Sequence, residues 1–505
     1  MNKSDELLEL IQSMNIAEKK YFKRYANRFW GNADTKSIRL FEQLAKSASS
    51  GIKKNTKKRR PELQKHLPMA RNRLYKLILD SLQSFYADNS IDNQVYDLLG
   101  KVEVLYNRGF FESARKMLNK ARKLAESYEK YDLLIGINQW EKRIMQSFLF
   151  EGVKEKEIHK LFDEEKDYTR CIDEVNGCWK MASEFYLHYR IKGLARTIEE
   201  KKFYERLIGN PLLKKKRGIL SKESEMYKIL THSRYAAATS SLKEFELHTR
   251  QLKDLMEKTK YLIVKDPFNY CIAVYNNLSA LMHLKNDKEF YNILHYFKNI
   301  PFLYELKHHK FIINYITLRS IHIELCMILQ TGAFDKVVAL AEEIEPLITQ
   351  WKKTDPLFAH HILNNIAYCY FVEERFREAL VWRNKKDYYE TPLLGTHRLF
   401  ELILHFELGN DELLFSKLRS LYRYLLSRET LYRTEALLID FFRKHLRQLD
   451  TRDKQVKAFA ALRDELVKLK DDPDEGKFLL LSDLVSWLES KIENRPFKEI
   501  VREKI

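Results

Sequence analysis

The chain is short of the residues that make tight turns and covalent cross-links. Its 505 residues include 14 glycines, 10 prolines and 5 cysteines. Turn-rich sandwiches, propellers and collagen-like repeats need glycine and proline, so the composition argues against all three. No two cysteines have the spacing of a metal site or a redox motif. This cysteine usage and the polar start of the chain predict reduced, mostly buried thiols in a cytoplasmic protein.

Common signatures of enzymes and cofactor sites are also missing. The sequence contains no Gly-rich phosphate loop, no His-Glu-x-x-His, no Cys-x-x-Cys and no Gly-x-Ser-x-Gly. Adjacent histidines occur at His308-His309 and His360-His361. Neighbours on a helix diverge by about 100°, so neither pair can hold one metal ion from the same face. We therefore expect a non-enzymatic protein with no cofactor and no metal.

Two long stretches lack charged residues, from Pro267 to Leu284 and from Pro356 to Val372. Each contains an Asn-Asn pair and histidine. Polar amides are costly in the middle of a bilayer, so both stretches are interpreted as deeply packed helices of a protein with no membrane span.

Apolar residues recur at helical spacing through nearly the whole chain. Apolar residues make up 45% of the sequence, enough for a large core, and no two-residue alternation typical of strands is evident. The sequence predicts three regions: a basic N-terminal helical unit at 1–88, a helical-repeat array at 90–450, and capping helices at 451–505. Asp88-Asn89-Ser90 is the expected break between the first two regions and supplies the N-cap of the next helix.

Helix pairs with short connections dominate the array. Gly109 is followed by Phe111 and Ala114, and Gly332 is followed by Phe334 and Val337. Turns of the same kind are predicted at Asn286-Asp287, Glu373-Glu374 and Gly409-Asn410. Gly109 stands at the end of the first helix, where glycine tolerates a positive φ.

This pattern resembles the hairpin signature of tetratricopeptide (TPR) repeats, over residues 90–130 and 270–430. Hairpins spaced by 42 to 47 residues in places depart from the TPR period of about 34. The resemblance implies an all-α protein, namely an extended α-solenoid of TPR-like helical hairpins. It also implies that the first helix of each hairpin lines a concave groove that binds a protein or peptide partner.

The groove residues follow from carrying the TPR pattern onto matching positions. Asn side chains can hydrogen-bond a partner's backbone, and arginine can pair with a carboxylate. Equally, the Asn-Asn pairs are expected to cap or brace neighbouring helices inside the stack. The candidate groove residues are Asn276, Asn277, Arg319, His322, His361, Asn364, Asn365 and Tyr368.

Positive charge is concentrated at the N-terminus. Of the formal net charge of +18, residues 1–90 contribute +10, with 19 Lys/Arg against 9 Asp/Glu. The segment around Pro68 resembles a helix-turn-helix, which implies contact with DNA or RNA; a helical bundle that only docks on the first hairpin is the alternative. The candidate nucleic-acid residues are Lys53, Lys54, Lys57, Lys58, Arg59, Arg60, Arg71, Asn72, Arg73 and Lys76.

Two functions therefore remain open from the sequence. The first is a non-enzymatic scaffold that binds a protein or peptide in its groove. The alternative is a nucleic-acid-binding regulator that uses the basic N-terminal unit. The partner's identity and the oligomeric state do not follow from the residues.

Overall fold

The computed structural model describes residues 3–30, 35–49, 67–87, 90–192, 195, 198–214, 221–385, 394–427, 433–445, 451–469 and 483–505. These residues form 25 α-helices, one short 3₁₀ helix and no strand, which confirms the all-α class. Their contacts divide the chain into two compact units, Met1–Asp173 and Glu174–Ile505. This division falls inside one long helix, whereas the composition indicated boundaries near residues 88 and 450.

Eight helices begin in the first unit, and the last of them continues into the second. The first four share one core, in which Phe22 and Phe41 are almost fully buried. The helices are α1 (Lys3–Ser13), α2 (Ile16–Trp30), α3 (Thr35–Ser49), α4 (Leu67–Phe85), α5 (Ile91–Asn107), α6 (Phe111–Ser127), α7 (Tyr131–Ser147) and α8 (Glu155–Lys192).

Helices α5, α6 and α7 each have 17 residues and are joined by three-residue links. Val102, Leu118 and Ile137 pack together in their core. The predicted N-cap is confirmed, because the Ser90 hydroxyl accepts a hydrogen bond from the backbone N–H of Asn93 at 3.3 Å. The cap satisfies one of the N–H groups that the first helical turn leaves without a partner.

The second unit contains the remaining helices. They are α9 (Ile198–Ile208), α10 (Pro211–Lys214), α11 (Lys222–Ala238), α12 (Leu242–Lys258), α13 (Lys260–Lys265), α14 (Pro267–His283), α15 (Asp287–Leu303), α16 (Lys310–Thr331), α17 (Lys336–Thr354), α18 (Pro356–Val372), α19 (Phe376–Asn384), α20 (Leu394–Glu407), α21 (Asp411–Ser427), α22 (Arg433–His445), α23 (Arg452–Lys468), α24 (Leu484–Glu493) and α25 (Phe497–Lys504). The 3₁₀ helix, Leu306–His308, precedes α16.

One type of turn joins the two helices of successive hairpins. Its central residue adopts a left-handed backbone, and the next N–H donates to a carbonyl five residues earlier, as in Phe110 N–H to Leu105 O at 2.9 Å. The predicted positive φ of Gly109 is confirmed at 77°. A closed turn of this kind satisfies carbonyls at the end of the first helix. The left-handed residues are Gly109, Glu129, Ser240, Lys285, Gly332, Glu374 and Gly409.

Helices α14 and α18 begin with the same two-residue signal. Asp266 and Asp355 are the N-caps, and each is followed by proline at the first helical position. The Asp266 carboxylate accepts from the backbone N–H of Asn269 at 2.9 Å. Proline suits this position because its missing N–H would have no helical partner.

The C-terminal helices contact the hairpin turns in reverse chain order. Trp487 on α24 donates from Nε1 to Glu407 at the end of α20, at 2.6 Å. The backbone N–H of Phe497 donates to the Glu374 carboxylate at 3.1 Å, in the turn after α18. Arg502 then donates to the carbonyl of Gly332, in the turn after α16. We call residues 483–505 the C-terminal strap.

Helix α16 is long and apolar enough to cross a membrane, with a mean hydropathy of 1.4 over 18 residues, but half of those residues are buried inside the protein. A helix in the core of a protein can have the same length and hydropathy. Arg319 and Leu325 on α16 are buried against neighbouring helices.

Candidate functional site

Six of the eight predicted groove residues lie on α16 and α18, and two lie on α14. Helix α16 packs against both α14 and α18. The three helices meet at a cluster of rings, imidazoles and one guanidinium, which we call the α14–α16–α18 cluster. It consists of Tyr275, Tyr315, Arg319, His322, Cys326, Asp355, Phe358, His361 and Asn365.

Arg319 is the central charge of this cluster. Its Nη2 donates to the Asp355 Oδ2 at 2.8 Å, so the N-cap of α18 also holds a side chain of α16. The guanidinium carbon lies 3.0 Å from the ring centroid of Phe358 and 4.5 Å from that of Tyr315. Stacking on aromatic faces suits a delocalised cation that is weakly hydrated. The charge is therefore neutralised and enclosed by its own helices.

The two imidazoles stay neutral at ordinary pH. The Nδ1 of His322 lies 2.9 Å from the hydroxyl of Tyr275, with which it shares a hydrogen bond. Burial, together with His361 and Arg319 nearby, lowers the pKa of His322 to about 3. Burial, with Arg319 as the next cause, lowers the pKa of His361 to about 4. With Arg319 paired to Asp355, the cluster carries no net charge.

Cysteine, histidine and asparagine side chains come together in the same cluster. The Cys326 Sγ lies 3.9 Å from both ring nitrogens of His322, and the Asn365 amide donates to it at 3.6 Å. Burial raises the pKa of the Cys326 thiol to about 12. A nucleophilic cysteine needs the opposite shift, toward a thiolate beside a protonated imidazole. The arrangement is therefore that of a neutral thiol held between helices.

Three of the predicted groove residues are buried rather than exposed. Asn277 is 1% exposed and donates from Nδ2 to the Thr249 hydroxyl of α12, at 3.4 Å. Arg319 and Asn364 are also buried. A residue that lines a groove must be accessible to a partner, and these three are not, because the surrounding residues bury them. Asn277 corresponds to the bracing alternative that the sequence left open.

The other predicted groove residues retain some exposure. Asn276, His322, His361, Asn365 and Tyr368 are all intermediate in burial. The Tyr368 hydroxyl donates to the Asp483 carboxylate of the C-terminal strap at 3.1 Å, so a residue of the chain itself already contacts that position.

The shared N-caps give the register of the two Asn-Asn pairs. Counting from Asp266 and from Asp355, Asn276 and Asn365 are each the tenth residue onward. They therefore occupy equivalent positions on α14 and α18, and both retain exposure. Aligning the two Asn-Asn pairs directly would instead match Asn276 with Asn364, which is one residue out of this register.

The predicted nucleic-acid residues divide into two groups. Lys53, Lys54, Lys57, Lys58, Arg59 and Arg60 lie outside the described residues. On α4, Asn72, Arg73 and Lys76 are exposed, while Arg71 is partly buried. Pro68 lies in the first turn of α4 and not between two helices, because α4 begins at Leu67. The expected helix-turn-helix boundary at Pro68 is therefore corrected.

Five members of the cluster were missed from the sequence: Tyr275, Tyr315, Cys326, Asp355 and Phe358. Only Asp355 carried a local signal, since Asp-Pro before an apolar run is typical of a helix start. The other four come together through the packing of separate helices.

Among the described residues, no group of three or more His, Cys, Asp or Glu side chains has the geometry to hold a metal ion. The chain matches no family model, and neither the curated proteins nor the solved structures show a significant similarity to it.

Proposed function

We propose that the hairpins of the second unit stack as an elongated, TPR-like α-solenoid that acts as a scaffold for a protein partner. The observation that carries this proposal is the reverse-order contact between the C-terminal strap and three successive hairpin turns. Residues 487, 497 and 502 contact the turns at 407, 374 and 332 in that order. A strap made of the two short helices α24 and α25 can contact the three turns in order when the hairpins follow each other in a row.

The spacing of the hairpins supports a regular stack with a long repeat. Helices α14, α16 and α18 begin at residues 267, 310 and 356, so the starts are 43 and 46 residues apart. Each of these helices packs on the next, as the first helices of neighbouring repeats do. The spacing exceeds the TPR period of about 34 and lies in the range of about 40 to 47 found in other helical repeats.

The partner would bind on the face that contains Asn276, His322, His361 and Asn365. Asparagine and neutral histidine both donate and accept hydrogen bonds, which suits the backbone of an extended peptide. Because Arg319 is neutralised by Asp355, the face carries no net charge. We therefore expect an uncharged peptide segment and an affinity that changes little with salt.

The test is site-specific photo-crosslinking in cells that make the full chain. A photoreactive phenylalanine replaces Asn276 or Asn365 in one set of variants. In the control set it replaces Tyr291 or Val381, which are 56% and 57% exposed on the second helices α15 and α19. The proposal predicts a discrete protein adduct from the first set only. Adducts from the control set alone, or equal yields from both, would contradict it.

Two matched variants then separate binding from bracing. Asn276→Ala with Asn365→Ala is expected to weaken binding of the partner that the cross-linking identifies. The thermal midpoint should change little, since the double variant removes only the 3.6 Å contact of the Asn365 amide with the Cys326 sulfur. Asn277→Ala removes the bond to Thr249 and is expected to destabilise the chain by about 1 kcal/mol while the partner is still bound. If the double variant lowered the thermal midpoint and still bound the partner, Asn276 and Asn365 would have a structural role and no role in binding.

A further inference from the structure

Helices α2 and α4 carry far more positive than negative charge. Together they contain eight cations and two carboxylates. The cations are Lys19, Lys20, Lys23, Arg24, Arg28, Arg71, Arg73 and Lys76, and the carboxylates are Glu18 and Asp80.

The carboxylates offset little of this surface charge. Glu18 is 8% exposed, and it accepts hydrogen bonds from the Tyr86 hydroxyl and from the backbone N–H of Asn15. Lys23 pairs with Glu42 of α3 at 2.6 Å. Lys20, Arg24 and Lys76 are exposed, and no described carboxylate forms an ion pair with any of them.

The two basic helices lie side by side and antiparallel. The Tyr21 hydroxyl near the start of α2 lies 2.8 Å from the Ser84 hydroxyl near the end of α4. The rings of Tyr21 and Phe85 are 5.1 Å apart. Lys20 and Arg24 are four residues apart on α2, so their attachment points are about 6 Å apart along the helix axis.

From this arrangement we propose that the exposed face of α2 and α4 binds the phosphate backbone of a nucleic-acid duplex. A duplex presents about one negative charge per 1.7 Å of its axis, which a row of cations at intervals of one helical turn can follow. The exposed amides of Asn27 and Asn72 add neutral donors of the kind that contact phosphate oxygens.

The packing of the apolar residues disfavours a lipid surface as the occupant. A helix that lies on a membrane inserts its apolar face between the lipids. Most of the apolar residues of α2 and α4 instead face the core of the N-terminal helices, where Phe22, Ala26, Leu74 and Ile78 are fully buried. Four large apolar residues stay exposed, namely Ile16, Met69, Tyr75 and Leu79, so vesicles are included in the test below.

Binding to the phosphate backbone of a duplex differs from the recognition of base edges that a helix-turn-helix implies. The face includes Lys20 and Arg24 of α2, which the sequence pattern did not single out. It needs no turn at Pro68 and no recognition helix in the major groove. This site is independent of the proposed peptide-binding face on the second unit.

The test measures fluorescence anisotropy of a labelled 20-base-pair DNA duplex with the full chain, between 50 and 200 mM NaCl. The variant Lys20→Ala/Arg24→Ala/Lys76→Ala removes three cations from the proposed face. The matched control Lys116→Ala/Lys120→Ala/Lys123→Ala removes three exposed cations from α6. Circular dichroism verifies that both variants keep their helices.

If all three cations contact phosphates, the slope of log Kd against log salt falls by about 2.7 in the first variant, since each contact contributes about 0.9. The control is expected to keep the wild-type slope. Equal loss in both variants, or no duplex binding by the wild type at 50 mM NaCl, would overturn the proposal. It would also be overturned if the first variant lost binding to phosphatidylserine vesicles or poly-glutamate but kept the duplex.

Discussion

The Nε of Arg502 donates to the carbonyl oxygen of Gly332 at 2.9 Å, across 170 positions of sequence. Gly332 has a φ of 67° and ends α16, so its carbonyl belongs to the turn of a hairpin. Arg502 also approaches Asp335 in the same turn, at 3.8 Å. The last helix of the chain is therefore fastened to a turn near the middle of the second unit.

Replacing glycine by alanine is expected to destabilise the protein at Gly332 and Gly409 and to stabilise it at Gly100. In Gly332→Ala the added Cβ would lie 3.0 Å from the Arg502 Cγ, and the backbone of residue 332 is left-handed. We therefore expect the free energy of unfolding to fall by about 2 kcal/mol. At Gly409 the backbone is also left-handed, but the space around the added Cβ is open. We therefore expect Gly409→Ala to lower the free energy of unfolding by about 1 kcal/mol. Gly100 lies within α5 with open space around it, so alanine should stabilise by about 0.5 to 1 kcal/mol. Thermal unfolding of the three variants measures this order.

A second prediction concerns the attachment of α24. The Glu407 carboxylate is 7% exposed and accepts from both the Trp487 Nε1 and the Lys491 Nζ, each at 2.6 Å. Glu407→Ala leaves the indole N–H without its acceptor and is expected to cost about 2 kcal/mol.

Hydrogen exchange is the measurement, because it reports opening of the C-terminal strap separately from the rest. Exchange of the α24 and α25 amides should accelerate in Glu407→Ala. In the control Glu465→Ala, which removes an exposed i,i+3 pair with Lys468, those amides should keep their wild-type protection. Unchanged protection in Glu407→Ala would mean that apolar packing alone holds the strap.

Stability should fall with acid because of His322 and His361. The folded state keeps both imidazoles neutral, with pKa values of about 3 and about 4, while an unfolded histidine titrates near 6.5. Stability from these groups is therefore fully present above about pH 6.5 and is lost as the pH falls toward 4. Each histidine contributes a slope of about 1.4 kcal/mol per pH unit in that window.

Thermal midpoints at pH 7.5, 6 and 5 test this slope. The variant His322→Gln/His361→Gln should show a shallower decline than the wild type. His295→Gln is the control, since it removes an exposed imidazole of α15 that lies outside the cluster. Parallel declines in all three proteins would show that other groups cause the acid sensitivity.

The sequence predicted the local features of the fold better than the contacts between helices. Turns at Gly109, Gly332 and Gly409 were predictable because glycine tolerates a left-handed backbone. The same turns at Glu129 and Ser240 carry no such signal, and tertiary packing forms them regardless of the residue type. Helix existence likewise followed from apolar spacing.

The site could be predicted only in part. Arg319 was singled out, but its partner Asp355 lies 36 residues away on the next hairpin, and only the packing of α16 on α18 joins them. The sequence also could not tell which residue of an Asn-Asn pair is buried, because neighbours on a helix differ by about 100° in direction. Asn276 proved partly exposed and Asn277 buried once the neighbouring helices were in place.

Distances between pairs of spin labels in the second unit, measured by pulsed double electron–electron resonance, test the stacking of its hairpins most directly. Spin labels carried on unnatural ketone side chains, which spare the five cysteines, would replace Lys288, Lys336, Arg377 and Glu412. These residues are exposed at the starts of α15, α17, α19 and α21. A stack predicts distances that increase from 288–336 to 288–377 to 288–412, in steps of about 10 Å, the usual separation of packed helices. A 288–412 distance no longer than the 288–377 distance would indicate a closed bundle and contradict the solenoid.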